Sequence, residues 1–170
     1  MSAYDPARWS DFALAQLGAS AALLGLVFVG LSINLRDVVG SRQLVNRALE
    51  TVIGLGAVLV AATAVLIPDQ SRGAVSTELL VIAGLTFAAT ANLQRGASHQ
   101  TVSGVGHGPP PFSIFARRVL ALGAPVLLAV AGITLAAQAG GGLYWWPAAI
   151  VVAFTGALTN AWVLLIEILR

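Results

Sequence analysis

The side chains of this sequence that could do chemistry inside a largely apolar chain are few: Asn34, Arg47, Glu50, Asn92 and Asn160, with Gln94 beside them. Arg47 and Glu50 stand three apart, a spacing that puts both on one side of a helix, so that each charge lowers the cost of holding the other near lipid. Glu167 and Arg170 repeat that spacing. Amides and an ion pair inside apolar segments have two uses. They line the path of an ion or small solute, or they hydrogen-bond one helix to the next, at about 0.6 kcal/mol per contact in a membrane. Packing is the simpler use, because the other halves of the same segments carry no matching polar track beyond Gln16, Ser20 and scattered Thr.

Other chemistries lack their parts. The chain has no Cys, which excludes disulfides, thiolate metal sites and a Cys nucleophile. His99 and His107 lie eight apart with no acid near them, and a metal would need further ligands, so no metal and no cofactor is expected. Gly104, Gly106 and Gly108 suggest a phosphate loop only superficially, since no strand precedes them and the Lys is absent. No Ser, His and acid share a depth, so no catalytic residues are assigned and an enzyme is not expected. Nine Arg against seven acids, with no Lys, raise the pI to about 9.9. Those arginines are scattered near segment ends, as membrane topology requires, and do not form the patch that a nucleic acid would need.

The elements that position these residues follow from composition. Of 170 residues 58% are hydrophobic and 9% charged, against roughly 45–50% and about 25% in soluble domains. The apolar residues are about enough for five spans of about 20 residues. Apolar runs place these spans at about 11–35, 44–67, 76–94, 113–138 and 147–168. The third is the weakest, reaching roughly 28 Å. Ser113 is the expected N-cap of the fourth, which Gly123-Ala124-Pro125 should kink. A flexible linker is expected over 95–111, rich in Gly, Ser and Pro. The fold class is thus an all-α integral membrane bundle of five helices in a single domain.

Sorting the arginines gives a direction. Arg8 and Arg72 fall on one side, and Arg36, Arg42, Arg47, Arg95, Arg117, Arg118 and Arg170 on the other. The positive-inside rule then predicts N-outside and C-inside. Trp9, Tyr144, Trp145 and Trp146 fall at the outer interface, where amphipathic rings favour the headgroups. Arg36, Arg42, Arg117 and Arg118 are candidates for contact with anionic lipid, beyond their role in topology. The polar cluster of Asn34, Arg47, Glu50, Asn92 and Asn160 then shares the cytoplasmic half. Small-residue spacings, Gly18 with Ala22, Ala21 with Gly25, Ala57 with Ala61 and Gly84 with Ala88, permit close helix contact, expected more within the chain than between copies.

The runs Gly25-Leu-Val-Phe-Val-Gly-Leu-Ser-Ile-Asn-Leu35, Gly142-Leu-Tyr-Trp145 and Asn160-Ala-Trp-Val-Leu-Leu-Ile-Glu-Ile-Leu-Arg170 resemble a group of short, largely actinobacterial membrane proteins often labelled hypothetical protein or modulator of the FtsH protease. The resemblance covers the first and last spans and implies a membrane protein. Together these features lead to the expectation of a multi-pass protein of the bacterial inner membrane. It would act without enzymatic activity, through self-association as a homo-oligomer or through a membrane protein partner, with the lipid bilayer as its surroundings. The competing expectation is a subunit of a small oligomeric ion channel or transporter that uses the polar cluster.

Overall fold

The computed structural model describes residues 2–98 and 111–168. The described chain is helical, with no strand: α1 (Ser10–Ile33), α2 (Leu35–Gly40), α3 (Arg42–Val65), α4 (Arg72–Ser98), α5 (Pro111–Ala137) and α6 (Trp145–Ile168), preceded by short 3₁₀ turns at Ser2–Tyr4 and Pro6–Trp9. Five of its helices are long and apolar enough to cross a bilayer, the architecture of a multi-pass membrane protein.

Four of these helices form a ring. α3 packs on α4 and on α6, α5 packs on the same two, and α3 and α5 face each other across the diagonal with little direct contact. α1 lies outside the ring against α3. Burial reflects that order: 50% of the apolar window of α3 is buried but only 11% of that of α1.

Several boundaries differ from those predicted. α4 runs over Arg72–Ser98, so it and α5 are the longest of the described helices, about 40 Å at 1.5 Å per residue, and Arg95 belongs to its last turn and not to a linker. A basic side chain is favoured at a helix C-terminus, where the carbonyl ends gather negative charge. Residues 99–110, with His99, His107 and the glycine run, lie outside the described residues. α5 begins at Pro111, two residues before the predicted cap Ser113, because proline suits the first helical position. It is assigned as one continuous helix through Pro125. α1 stops at Ile33, and the stretch beyond Asn34 is not a loop but the short helix α2, whose Val38 is buried with Leu44, Ala48 and Leu164.

The end of the ring at which α4 and α6 begin is tightly sealed. Trp9, Phe12 and Trp146 pack edge to face, with Phe12 and Trp146 centroids 5.3 Å apart and Tyr144 5.4 Å from Trp9. Trp146 is therefore not an interfacial anchor as predicted. It is 1% exposed and plugs the bundle, whereas Tyr144 and Trp145 remain exposed. Gly141 N–H donates to the Tyr4 hydroxyl at 3.2 Å, tying the N-terminal turns to the α5–α6 connection.

The small-residue spacings divide in two. Ala57 and Ala61 face the ring interior, but Gly18, Ala21, Ala22, Gly25, Gly84 and Ala88 are at least partly exposed on the outer surface, so the expected intramolecular packing does not use them. The close approach lies elsewhere. Ser76 donates to the Gly132 carbonyl at 2.8 Å, and a Cβ on Gly132 would meet Leu80 at 2.9 Å.

Gly142 has φ of +54°, and a Cβ there would overlap the Ala3 carbonyl and the Tyr4 ring. Gly142→Ala is therefore expected to cost about 1–3 kcal/mol and to lower the melting temperature in detergent. Gly84→Ala, whose Cβ would meet nothing within 4 Å, should stay within about 0.5 kcal/mol of the parent.

Candidate functional site: a cavity in the ring

Along α3 the positions Gln43, Arg47, Glu50, Gly54, Ala57 and Ala61 recur at alternating steps of four and three, so one face of the helix carries them all. α5 contributes Arg117, Ala121, Ala124 and Leu128 by the same rule, and α6 contributes Trp146, Ala149, Ala153, Gly156 and Asn160. These faces meet inside the ring. Most of them carry glycine or alanine where a filled bundle would place leucine, and a cavity of about 610 Å³ is left between the four helices. On α3 it extends from Gln43 to Ala61, about 27 Å of helix.

The cavity is polar and cationic at one end and apolar at the other. Gln43, Asn46, Arg47, Glu50, Gln94, Arg117, Arg118 and Asn160 line the end where α3 and α5 begin and α4 and α6 finish. Thr51 and Thr90 carry hydroxyls farther in. Beyond them the walls are small and apolar as far as Trp146. Its indole Nε1–H is buried without an acceptor, the kind of donor that ordered water or a ligand oxygen satisfies. Pro125 carries no N–H, so the Ala121 carbonyl on the same wall has lost its usual helical donor.

One ion pair crosses the diagonal. Arg117 donates from Nη2 to Glu50 Oε1 at 2.8 Å and from Nε to Oε2 at 3.3 Å, the fork geometry that suits a guanidinium to a carboxylate. The Glu50 side chain is 2% exposed and that of Arg117 24%. A carboxylate so buried loses several kcal/mol of hydration, which the facing guanidinium offsets.

The predicted cluster is thus partly assembled. Arg47, Glu50 and Asn160 come together on the cavity wall, joined by Gln94. Asn34 and Asn92 do not join them. Asn34 terminates α1 and donates from Nδ2 to the Gly30 carbonyl at 3.0 Å, and Asn92 is exposed on the outer side of α4. Their depth was suitable, but their faces point elsewhere. The partner found for Glu50 is Arg117, from a helix 67 residues on, where spacing had pointed to Arg47. Of the arginines expected at lipid headgroups, Arg36 and Arg42 are exposed, whereas Arg117 and Arg118 line the cavity. Gln43, Asn46, Thr51 and Thr90 were not singled out from sequence. The four-three repeat through Arg47 and Glu50 marks Gln43 and Gly54 on the same face.

Compared with family models, curated proteins and solved structures, the chain matches none. Among the described residues no three His, Cys, Asp or Glu side chains gather where a metal ion would sit. The arrangement can do one thing well. It can enclose a solute between the helices, in a site whose charged lining residues, among those described, are Arg47, Glu50, Arg117 and Arg118.

Arg117→Ala leaves Glu50 buried without its counter-charge and is expected to lower the unfolding free energy in micelles by about 3–5 kcal/mol. Replacing Glu50 and Arg117 together by Leu should cost less than Arg117→Ala alone. Additive losses in the double-mutant cycle would show the two groups to be uncoupled.

Proposed function

We propose that this chain is a non-enzymatic, multi-pass protein of the bacterial inner membrane, inserted N-outside and C-inside, that takes a negatively charged solute into its helix ring from the cytoplasmic end as a subunit of a small transporter or channel. The observation that supports this is a cavity of about 610 Å³ with the guanidinium groups of Arg47, Arg117 and Arg118 at one end of its described lining. That volume is within the roughly 300–1,000 Å³ range of organic ligand sites. A low-dielectric cleft lined by one sign of charge concentrates the opposite sign. Sites of this kind, near mid-membrane and accessible from one face, suit alternating access, in which the aromatic plug around Trp146 would open for the solute to cross.

Because the chain lacks cysteine, single thiols report access cleanly. Gly54→Cys, one turn deeper than Glu50, should react with an anionic methanethiosulfonate at least about tenfold faster than with a cationic one. In sealed vesicles it should react from the cytoplasmic face only. A thiol that does not react, prefers the cation, or is reached from outside would overturn this function or its orientation.

A second function, self-association, is favoured by α1. Its exposed face carries Gly18, Ala21, Ala22 and Gly25, small residues that let two helices approach closely in lipid. On this basis Ala22→Cys should form a disulfide-linked dimer on oxidation in native membranes, while Phe12→Cys, half-buried in the aromatic seal, should not. Monomer alone from both variants would remove self-association through this face.

A further inference from the structure

The level at which the cavity changes from polar to apolar is marked by uncharged polar side chains from three helices. Thr51 lies nine residues from the start of α3, and Thr90 and Asn160 lie eight from the ends of α4 and α6. All three therefore stand about 12–14 Å from the same end of the ring at 1.5 Å per residue. They line the cavity and are buried, Thr90 with 4% and Asn160 with 9% of its surface exposed. Thr51 donates its hydroxyl proton to the Arg47 carbonyl at 2.9 Å and keeps its oxygen as an acceptor. Thr90 and Asn160 make no hydrogen bond to any residue of the chain. Their polar atoms are not among those sealed from all contact, so the little surface these residues expose presents them to the cavity. Polar side chains in a membrane bundle ordinarily bond across to a neighbouring helix. Two that do not, at one level of one cavity, are placed for a solute.

We propose that the cavity holds its solute by a planar uncharged group, a carboxamide or lactam, bonded to Asn160 and Thr90, with a hydrocarbon portion of the solute in the chamber lined by Ala57, Ala61, Ala149 and Ala153. This rests on the cavity being a solute site, as argued above, and names a neutral feature of the solute, whatever that solute carries at the arginines. The group follows from the donors and acceptors. Asn160 presents a carbonyl oxygen and an N–H side by side in one plane. Its complement is a planar edge with a donor beside an acceptor, which closes two parallel hydrogen bonds. An ester or ketone accepts without donating and leaves the Asn160 oxygen unmatched, at the cost that any buried polar atom incurs. The Thr90 hydroxyl and the Thr51 oxygen are there for the lone pair and the N–H that remain. The hydrocarbon follows from the walls beyond, where Ala57, Ala61, Ala149 and Ala153 offer only methyl groups. Water bonds to Asn160 and Thr90 as well, but it gains nothing from that chamber, whereas an alkyl group there is removed from water.

An uncharged probe isolates this contact from the arginines. In the full-length protein carrying Ala57→Cys, octanamide is expected to slow alkylation by N-ethylmaleimide saturably, about tenfold at about ten times its half-protecting concentration. Methyl octanoate, which accepts but does not donate, and acetamide, which has the amide without the chain, should each leave the rate within about twofold of the probe-free value at that concentration. Asn160→Leu in the same background should abolish protection by octanamide, and Thr90→Val should raise the half-protecting concentration about fivefold, as the loss of one hydrogen bond predicts. Ala153→Cys, on the wall contributed by α6, gives the same readout if Ala57→Cys does not fold, and Thr90→Val tests the contact if Asn160→Leu does not. Equal protection by methyl octanoate overturns the role of the donor, equal protection by acetamide overturns the hydrocarbon portion, and protection that survives both substitutions overturns the assignment to Asn160 and Thr90. If octanamide fails while Gly54→Cys still prefers the anionic reagent, the amide contact is wrong, water occupies this level and the solute site stands. If both fail, the site itself is wrong.

Discussion

The carboxylate of Glu50, 2% exposed inside a bundle whose outer surface is apolar, sets the terms for the rest of the structure. A buried carboxylate is stable as an ion only beside a counter-charge that also satisfies its oxygens. Arg117 supplies both from the helix diagonally opposite, since its side chain is long enough to cross where the backbones do not meet. That requirement fixes the rotation of two helices at once. With Glu50 turned inward, Gly54, Ala57 and Ala61 follow it into the interior of the ring, and with Arg117 turned inward, Ala121, Ala124 and Leu128 do the same.

The cavity follows from what those rotations bring inside. In lipid there is no hydrophobic drive to close a gap between helices, and small residues contribute by letting backbones approach. Here the approach happens at the perimeter, where Ser76 reaches the Gly132 carbonyl, and the remaining small residues point at a centre that no helix occupies. The two ends of the bundle therefore differ. Around Leu79, Leu135, Leu143 and Trp146 large side chains fill the interior, while toward Arg47 and Arg117 the same ring is hollow. A bundle whose polar groups served packing alone would place them at closed helix interfaces. Arg47, Gln94, Asn160 and Arg118 also border open volume, while Arg47, Gln94 and Arg118 are engaged within the protein as well.

Depth along each helix was legible in the sequence, and direction around each helix was not. Hydropathy located all five spans, because about 20 apolar residues in a row have few other uses. It placed Asn34, Glu50, Asn92 and Asn160 in one half of the membrane. It could not say that Asn34 and Asn92 face away from the cavity, since α1 is apolar all round and its periodicity marks no preferred side. Glu50 with Arg117 was illegible for a related reason: spacing finds partners within a helix, and a diagonal contact depends on the rotation of two helices and the packing of the two between them. The N-terminal turns and α2 were missed because each is shorter than a span and is held by tertiary contacts, Tyr4 with Gly141 and Val38 with Leu44. The third span looked weak because Glu78, Thr86, Thr90 and Asn92 dilute its hydropathy, and of these Thr86 and Thr90 line the cavity.

The arginines carry the remaining step. A topological signal needs only to lie on one side of the membrane near a span, and Arg36 and Arg42, exposed at the ends of helices outside the cavity, need no other account. Arg117 lies six residues inside α5 with a forked partner, and Arg47 and Arg118 stand on the same wall. Arg47 and Arg118 are engaged within the protein as well, and in a low-dielectric enclosure such contacts between charged groups are stronger than they are in water. Topology would be served equally by arginines turned out to the headgroups, so what it leaves unexplained is the place of these three on the wall of an open volume.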